Sequence, residues 1–413
     1  MPKDHVEVAV VGGGAAGIAA ARRLHEAGID CLLIEARERL GGRAWTVHDP
    51  QGHALDLGCG WLHSADRNPW CTIARTQGLT IDPTPPPWAR AALPAAFPFP
   101  LQHEFFGAQQ AFYERLERVK DMEDRPAADL LEPGNRWNAL IVAIHTFVSG
   151  AELECVSAHD LLRYDDSGVN WRLVQGYGTA VAAHGAGVPV VLGCPVQRID
   201  HGGRRLRVET ARGTIEAERA VIAVPTPMLA REDFFAPPLA DKVAAAQALP
   251  LGLDDKLFLS LEQAQEFEAD TRLFGRIDRA ATAAYHLRPF GRPQIEAYFG
   301  GSLAADLERG GERAFFAFAT AELCGVFGSA FARRLKPIRI HLWGADPFAR
   351  GSYSYARPGK ADCRDALAAP VDERLYFAGE ACSRHDFSTA HGAWLTGVAA
   401  ADRIIALKRG LQP

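Results

Sequence analysis

The chain has 413 residues, 48% of them hydrophobic and 23% charged, with a formal net charge of -5. That length implies two or three domains with a large core, and the charge balance argues against nucleic acid or an anionic membrane surface as partner. Eight cysteines are scattered without a C-x-x-C pair or metal-ligand spacing, the pattern of reduced thiols in a cytoplasmic protein. No metal site is expected. The opening "MPKDHVEVAVVGGG" passes into a strand at once, which leaves no room for a signal peptide. No apolar run has membrane-spanning length, and the tail "ALKRGLQP" is short and polar.

In chain order, "VEVAVVGGG", "AAGIAAARRLHEAG" and "IDCLLIE" predict strand, tight turn and helix, then a second strand. Gly12-x-Gly14-x-x-Gly17 sits at the turn. Gly12 permits the bend, Gly14 lets backbone approach a pyrophosphate, and Gly17 lets helix and strand pack closely. The helix N-terminus then offers free N–H groups to phosphate, and Glu35 ends the second strand, where a carboxylate accepts from ribose hydroxyls. These features predict dinucleotide binding without choosing between FAD and NAD.

The stretch from Asp82 to Pro100, "DPTPPPWARAALPAAFPFP", is too proline-rich for a helix or central strand and predicts a loop. "GAQQAFYERLERVKDMED" follows as an amphipathic helix with Phe112, Leu116 and Val119 on one side, and helical text continues to about Tyr164. From Val188, short β-rich runs with turn glycines signal a return to sheet. Asp254–Leu261 and Gln294–Phe299 read as strands of a second sheet, followed by helical "ERAFFAFATAELCGVFG", whose Phe315, Phe316 and Phe318 read as core. "RLYFAG" predicts a further strand, and a helix runs from about His391 to Arg409. The fold class is mixed α/β, with two domains built from interleaved segments.

One strand is odd. In "LDDKLFLSL", Leu257, Leu259 and Leu261 fill one face, while Lys256 shares the other with Phe258 and Ser260. Taken alone, Lys256 reads as an edge-strand charge that blocks stray pairing.

"EARERLGGRAWT" after Glu35 and "FAGEACSRHDFSTAHGAWLTG" near the C-terminus, with "LDLGCGWLH", "VQGYG", "IAVPTPML" and "WGADPFARGSYSYARPG" between, closely resemble the flavin-containing amine oxidase family of monoamine and polyamine oxidases. The motifs run in the family's order over nearly the whole chain, apart from about Thr84 to Asn170. The resemblance implies a Rossmann-like FAD-binding domain from discontinuous segments (1–82, 188–240 and 338–413) and a substrate domain with mixed sheet and helices (83–187 and 241–337).

Carried over by motif, Gly12, Gly14, Ala16, Gly17, Glu35, Arg37, Gly42 and Arg43 would hold the ADP half of FAD, with Arg43 neutralising pyrophosphate charge. Val196 would meet the adenine through its backbone. Gly60, Trp61 and Trp343 would lie beside the isoalloxazine, and Gly379 and Glu380 would contact the ribityl-phosphate region. The helix beginning at Thr389 and Ala390 would aim its positive end at the flavin C2 carbonyl. The same resemblance places Lys256 beside flavin N5 through a water. It makes Tyr353 one aromatic wall of the amine site, with His63 and Thr389 in the substrate pocket.

Two departures matter. Ser352 stands where monoamine oxidases attach FAD through a cysteine, so FAD is expected to be non-covalent. Thr389 stands where a second cage tyrosine would be, and Trp61 or Trp343 is a candidate replacement, with flavin packing the plain reading of both. His63, His385 and His391 lie inside flavin motifs rather than in a ligand cluster.

The expected function is oxidation of a primary or secondary amine, with dioxygen reduced to hydrogen peroxide. Amine and dioxygen are the expected partners, and a homodimer is a candidate assembly. An amino-acid oxidase, which needs a cation for its carboxylate (Arg90, Arg172 and Arg288 being unassigned), a dehydrogenase or desaturase, and a non-catalytic flavin-binding protein are the alternatives.

Overall fold

The computed structural model describes residues 4–410. The opening "MPK" and the closing "LQP" of the expected polar tail lie outside the described residues. No helix among the described residues is long and apolar enough to cross a membrane.

The first strand, His5–Val11, is buried almost throughout, as a strand covered on both faces must be. It lies between Gly213–Ile222 and Cys31–Ile34, parallel to both. Val8 and Val10 enter one core and Ala9 and Val11 another, following the two-residue period. Val190–Val191 extends the sheet beyond Cys31–Ile34. On the far side Gly213–Ile222 meets Leu206–Thr210 with its first half and Leu375–Phe377 with its second. One sheet thus gathers the beginning, middle and end of the chain.

Two helices cover one face, Ala15–Glu26 and Ala390–Lys408. Small residues let them close in: a Cβ on Gly397 would stand 2.1 Å from the Ala16 carbonyl oxygen, and one on Gly17 would stand 1.8 Å from that of Gly12. Neither position admits a side chain.

The second sheet is antiparallel, in the order Thr271–Phe274, Ala284–Leu287, Gln294–Gly300, Asp254–Leu261, Leu335–Ile340. Leu257, Leu259 and Leu261 pack with Leu273, Ile295 and Phe299 against the helix Glu312–Phe327, where Phe315 is fully buried and Phe316 and Phe318 partly so. The expected core role of these rings holds. The edge-strand reading of Lys256 does not: its strand is paired on both sides, and the residue is only 5% exposed.

The proline-rich stretch also departs from expectation. It folds into a short 3-10 turn at Pro87–Ala89 and then starts a helix, Phe99–Arg118, inside the predicted loop. Pro100 is tolerated because first-turn amides have no intrahelical acceptor to lose. Buried Gln102 ties loop to helix, donating to the Ala92 and Phe97 carbonyls and accepting from the Ala92 amide.

Candidate active site

The glycine turn is built as its spacing requires. Gly12 has φ +104°, and a Cβ there would stand 2.5 Å from the Ala223 carbonyl oxygen. Gly14 faces open space, and a Cβ on Gly42 would come within 3.1 Å of its Cα, so backbone alone forms this wall. The Gly13 and Arg37 amides donate to the two oxygens of Glu35 at 2.6 and 2.7 Å, which fixes the carboxylate and leaves lone pairs for a ligand.

Arg37 pairs with Asp346. Arg43 donates to Glu380 at 2.9 Å and to the Ser352 carbonyl at 2.7 Å. Burial alone would raise the Glu380 carboxyl, but Arg43, Ser354 and Arg364 outweigh it and hold it below the ordinary range. Thr389 caps the helix Ala390–Lys408 by accepting from the Gly392 amide.

These groups line one cavity of about 1140 Å³, somewhat above the range of about 300–1,000 Å³ typical of small-ligand sites. Gly12, Gly14, Ala16, Glu35, Arg37, Gly42, Arg43, Val196, Gly379 and Glu380 are on its wall. So are Gly60, Trp61, His63, Lys256, Trp343, Tyr353, Thr389 and Ala390. Gly17 is not; it serves the packing of helix on turn. An all-backbone turn, a helix N-terminus and a fixed carboxylate fit a dinucleotide's phosphates and ribose.

Lys256 stands among acids. Its Nζ donates to Glu296 Oε1 at 3.2 Å, and a Cβ on Gly60 would sit 3.3 Å from Nζ. Burial would raise the Glu296 carboxyl, yet the charges of Lys256 and His286 hold it below its usual value. Asp254 shares the cavity face and is driven far above the carboxylate range by burial, against the pull of Lys256. Burial also raises Asp56, which accepts from Thr46 and the Tyr177 and Gly178 amides. His286 Nε2 in turn bonds Asp270 at 2.8 Å, and Asp270 accepts from Arg172. A buried ammonium requires such partners.

Tyr353 gives its hydroxyl to the Phe147 carbonyl, so the ring rather than the O–H is offered to the cavity. Opposite Lys256 in the sheet register stands Tyr298, which also lines the cavity. Trp343 is 1% exposed, with its indole N–H on the Leu57 carbonyl; Trp61 packs against Trp88 and over Arg172. His63 bonds Asn170 at 2.6 Å, and burial lowers its pKa, favouring the neutral ring.

None of Arg90, Arg172 and Arg288 lines the cavity. Arg172 is bound to Asp82 and Asp270, Arg288 to the Phe267 and Gly291 carbonyls, and Arg90 to the Ala269 carbonyl. Among the described residues no group of three or more histidines, cysteines or acids could hold a metal.

Sequence reading missed Glu296, Tyr298, Asp254 and Asp56. Only Asp254 left a signal: two positions before Lys256, it shares that residue's face.

One cavity therefore joins a dinucleotide cradle to a chamber walled by rings and a buried lysine, the arrangement of a redox enzyme whose cofactor reaches its substrate. The chain matches the family described as flavin containing amine oxidoreductase over residues 15–138 and 98–405, which includes the stretch the motifs left uncovered. It is 28% identical to polyamine oxidase 2 of Arabidopsis thaliana, over 96% of this chain and 87% of that protein. It is 25% identical to human lysine-specific histone demethylase 2, over 98% of this chain but only 54% of that one. A solved structure of a putrescine oxidase double mutant redesigned in cofactor binding superposes with a TM-score of 0.77 at 19% identity, covering 98% of this chain and 100% of that one. The chain belongs to the flavin-containing amine oxidoreductase family, and its cofactor is FAD.

Ser352 Oγ donates to the Asp254 carbonyl and accepts from the Asp254 amide. Cys59 is the one cysteine on the cavity wall among the described residues, and burial pushes its thiol up to about 12. A protonated thiol is a poor nucleophile. Acid precipitation should release all the flavin to the supernatant; yellow colour in the pellet would refute non-covalent binding.

Proposed function

We propose that the protein oxidises a primary or secondary amine at the C–N bond and returns the electrons to dioxygen. The observation that carries this is a single cavity running from the Gly12 turn to Lys256, Tyr298 and Tyr353. Bound there, FAD supplies the two-electron chemistry: the amine becomes an imine, which water converts to aldehyde plus ammonia or amine, and dioxygen becomes hydrogen peroxide.

The chain's own residues bind and orient. Tyr353 and Tyr298 wall the amine. Lys256 places a positive charge where dioxygen takes up electrons, and it disfavours a protonated amine beside it. The helix N-terminus at Thr389 and Ala390 faces the same cavity with its positive end. The polyamine oxidases among the relatives support a substrate with a free amine. The demethylase names support oxidation at an N-alkyl carbon.

The test is anaerobic mixing with a panel of primary, secondary and N-methyl amines while watching flavin absorbance. Bleaching is expected, at a rate that rises with pH and then levels, because only a neutral nitrogen stabilises the developing iminium. Rates flat from acid to alkaline pH, or no bleaching by any amine, would refute the reading. Bleaching without peroxide on admitting air would instead favour a dehydrogenase or desaturase.

A further inference from the structure

Arg272 lies on the wall of the same cavity, on the outermost strand of the second sheet. It differs from the other arginines there. Arg37, Arg43 and Arg231 each pair with a carboxylate, and Arg350 is exposed. The Arg272 guanidinium has no hydrogen bond and no ion pair with any described residue. Glu117 lines the cavity too and does not pair with it. The guanidinium lies over the Phe274 ring, its Cζ 4.4 Å from the ring centre. Burial alone lowers its pKa, to about 10, which leaves it charged at neutral pH.

A half-buried guanidinium that faces the cavity and pairs with no acid is free to take an anionic ligand. The backbone around it is well fixed. Arg272 pairs with His286 in the sheet and bridges to Ala92 on its free side, and its carbonyl accepts from the Leu93 amide.

The register supplies a ruler. Phe274 pairs with Ala284, Ala284 with Tyr298, and Tyr298 with Lys256, so one row crosses four strands and all four residues line the cavity. The Arg272 strand is therefore three strand spacings from that of Lys256, roughly 14 Å. The floor between them is Phe274, Ala284 and Tyr298, which suits methylenes, with His286 beside Arg272 on the neighbouring row. A carboxylate on the oxidised carbon itself is too close to that carbon to bridge this span.

We propose that the substrate is an amine carrying a carboxylate at the far end of an extended apolar chain, and that Arg272 binds that carboxylate. This rests on the amine-oxidising reading of the cavity. Arg272 sets specificity: it admits an ω-amino carboxylate and repels a second ammonium, which disfavours diamines and polyamines.

The test compares ω-aminohexanoate and ω-aminooctanoate with the alkylamines and α,ω-diamines of matching length. The holoenzyme should show kcat/KM at least about tenfold higher for ω-aminooctanoate than for octylamine or diaminooctane. Arg272→Met should abolish that preference by raising KM for the ω-amino carboxylates rather than lowering their kcat, and Arg272→Lys should keep part of it. Octanoate, which has no amine to oxidise, should perturb the flavin spectrum of the wild-type holoenzyme and not that of Arg272→Met. Equal use of octylamine or diaminooctane, or a preference that survives Arg272→Met, would overturn the proposal. If no amine bleaches the flavin, the amine-oxidising reading fails, and the octanoate titration still decides Arg272: binding lost in the variant supports it, and equal binding or none overturns it.

Discussion

Lys256→Met is expected to slow reoxidation of the reduced holoenzyme by dioxygen about tenfold to a hundredfold, while anaerobic reduction by amine changes by less than about threefold. The residue is 5% exposed, on a central strand, with Gly60 packed against its ammonium. Its charge is therefore little screened by water and fixed in direction. Dioxygen gains negative charge as it accepts its first electron, so a preorganised cation matters most in that half of the cycle. Methionine keeps the bulk and removes the charge.

A control separates charge from architecture. The Lys256→Met change removes the nearer of the two groups that hold the Glu296 carboxyl down, so that carboxyl should protonate more readily. Glu296→Gln removes the acid and leaves Lys256 charged, and should reoxidise at least as fast as wild type. Stopped-flow absorbance reads both half-reactions separately. Wild-type reoxidation in Lys256→Met would reduce the lysine to a structural ion-pair partner.

Arg364→Met should cost about 3–5 kcal/mol of stability, measured by urea unfolding of the holoenzyme. Arg364 is 0% exposed and Asp160 1%. They meet through two hydrogen bonds of 2.7 and 2.8 Å, and Asp160 also accepts from the Ala356 amide. Removing the guanidinium strands a carboxylate in the interior, where its desolvation is no longer offset. The damage should reach the cofactor: Arg364 donates to Ser354, Ser354 to Glu380, and Arg43 to Glu380. Flavin should therefore leave the variant on gel filtration. Adding Asp160→Asn removes the stranded charge and should recover about half the loss. A single variant within about 1 kcal/mol of wild type would show that the pair contributes little.

What the sequence made legible is local. The Gly12 turn, the helix after it and the Glu35 carboxylate lie within one short segment, and their roles follow from spacing alone. The apolar alternation of Leu257, Leu259 and Leu261 likewise predicted a strand with one core-facing side. What stayed hidden depends on pairing between distant segments. Glu296 is 40 positions from Lys256, and nothing in either strand states that they share a register. Whether the Lys256 strand is central or marginal depends on Leu335–Ile340, farther still along the chain. Arg272 was invisible for the same reason: its meaning comes from the acid that is not beside it. The helix carrying Phe112 and Leu116 was legible from Gly107 on, but its start at Phe99 was masked differently, since the prolines there occupy positions where a helix start tolerates them.

The seating of Gly397 on Ala16 has a bearing on how the protein is made. The Gly12 turn and the helix Ala390–Lys408, which seats on the adjoining Ala16, are far apart in the sequence, so the turn is translated well before its buttress. The strand His5–Val11 must likewise wait for Gly213–Ile222 before its outer hydrogen bonds exist. Until those partners have been made, this segment is an apolar strand and an unbuttressed glycine turn, without the geometry that grips a dinucleotide. Cofactor capture then has to follow the docking of that distant helix.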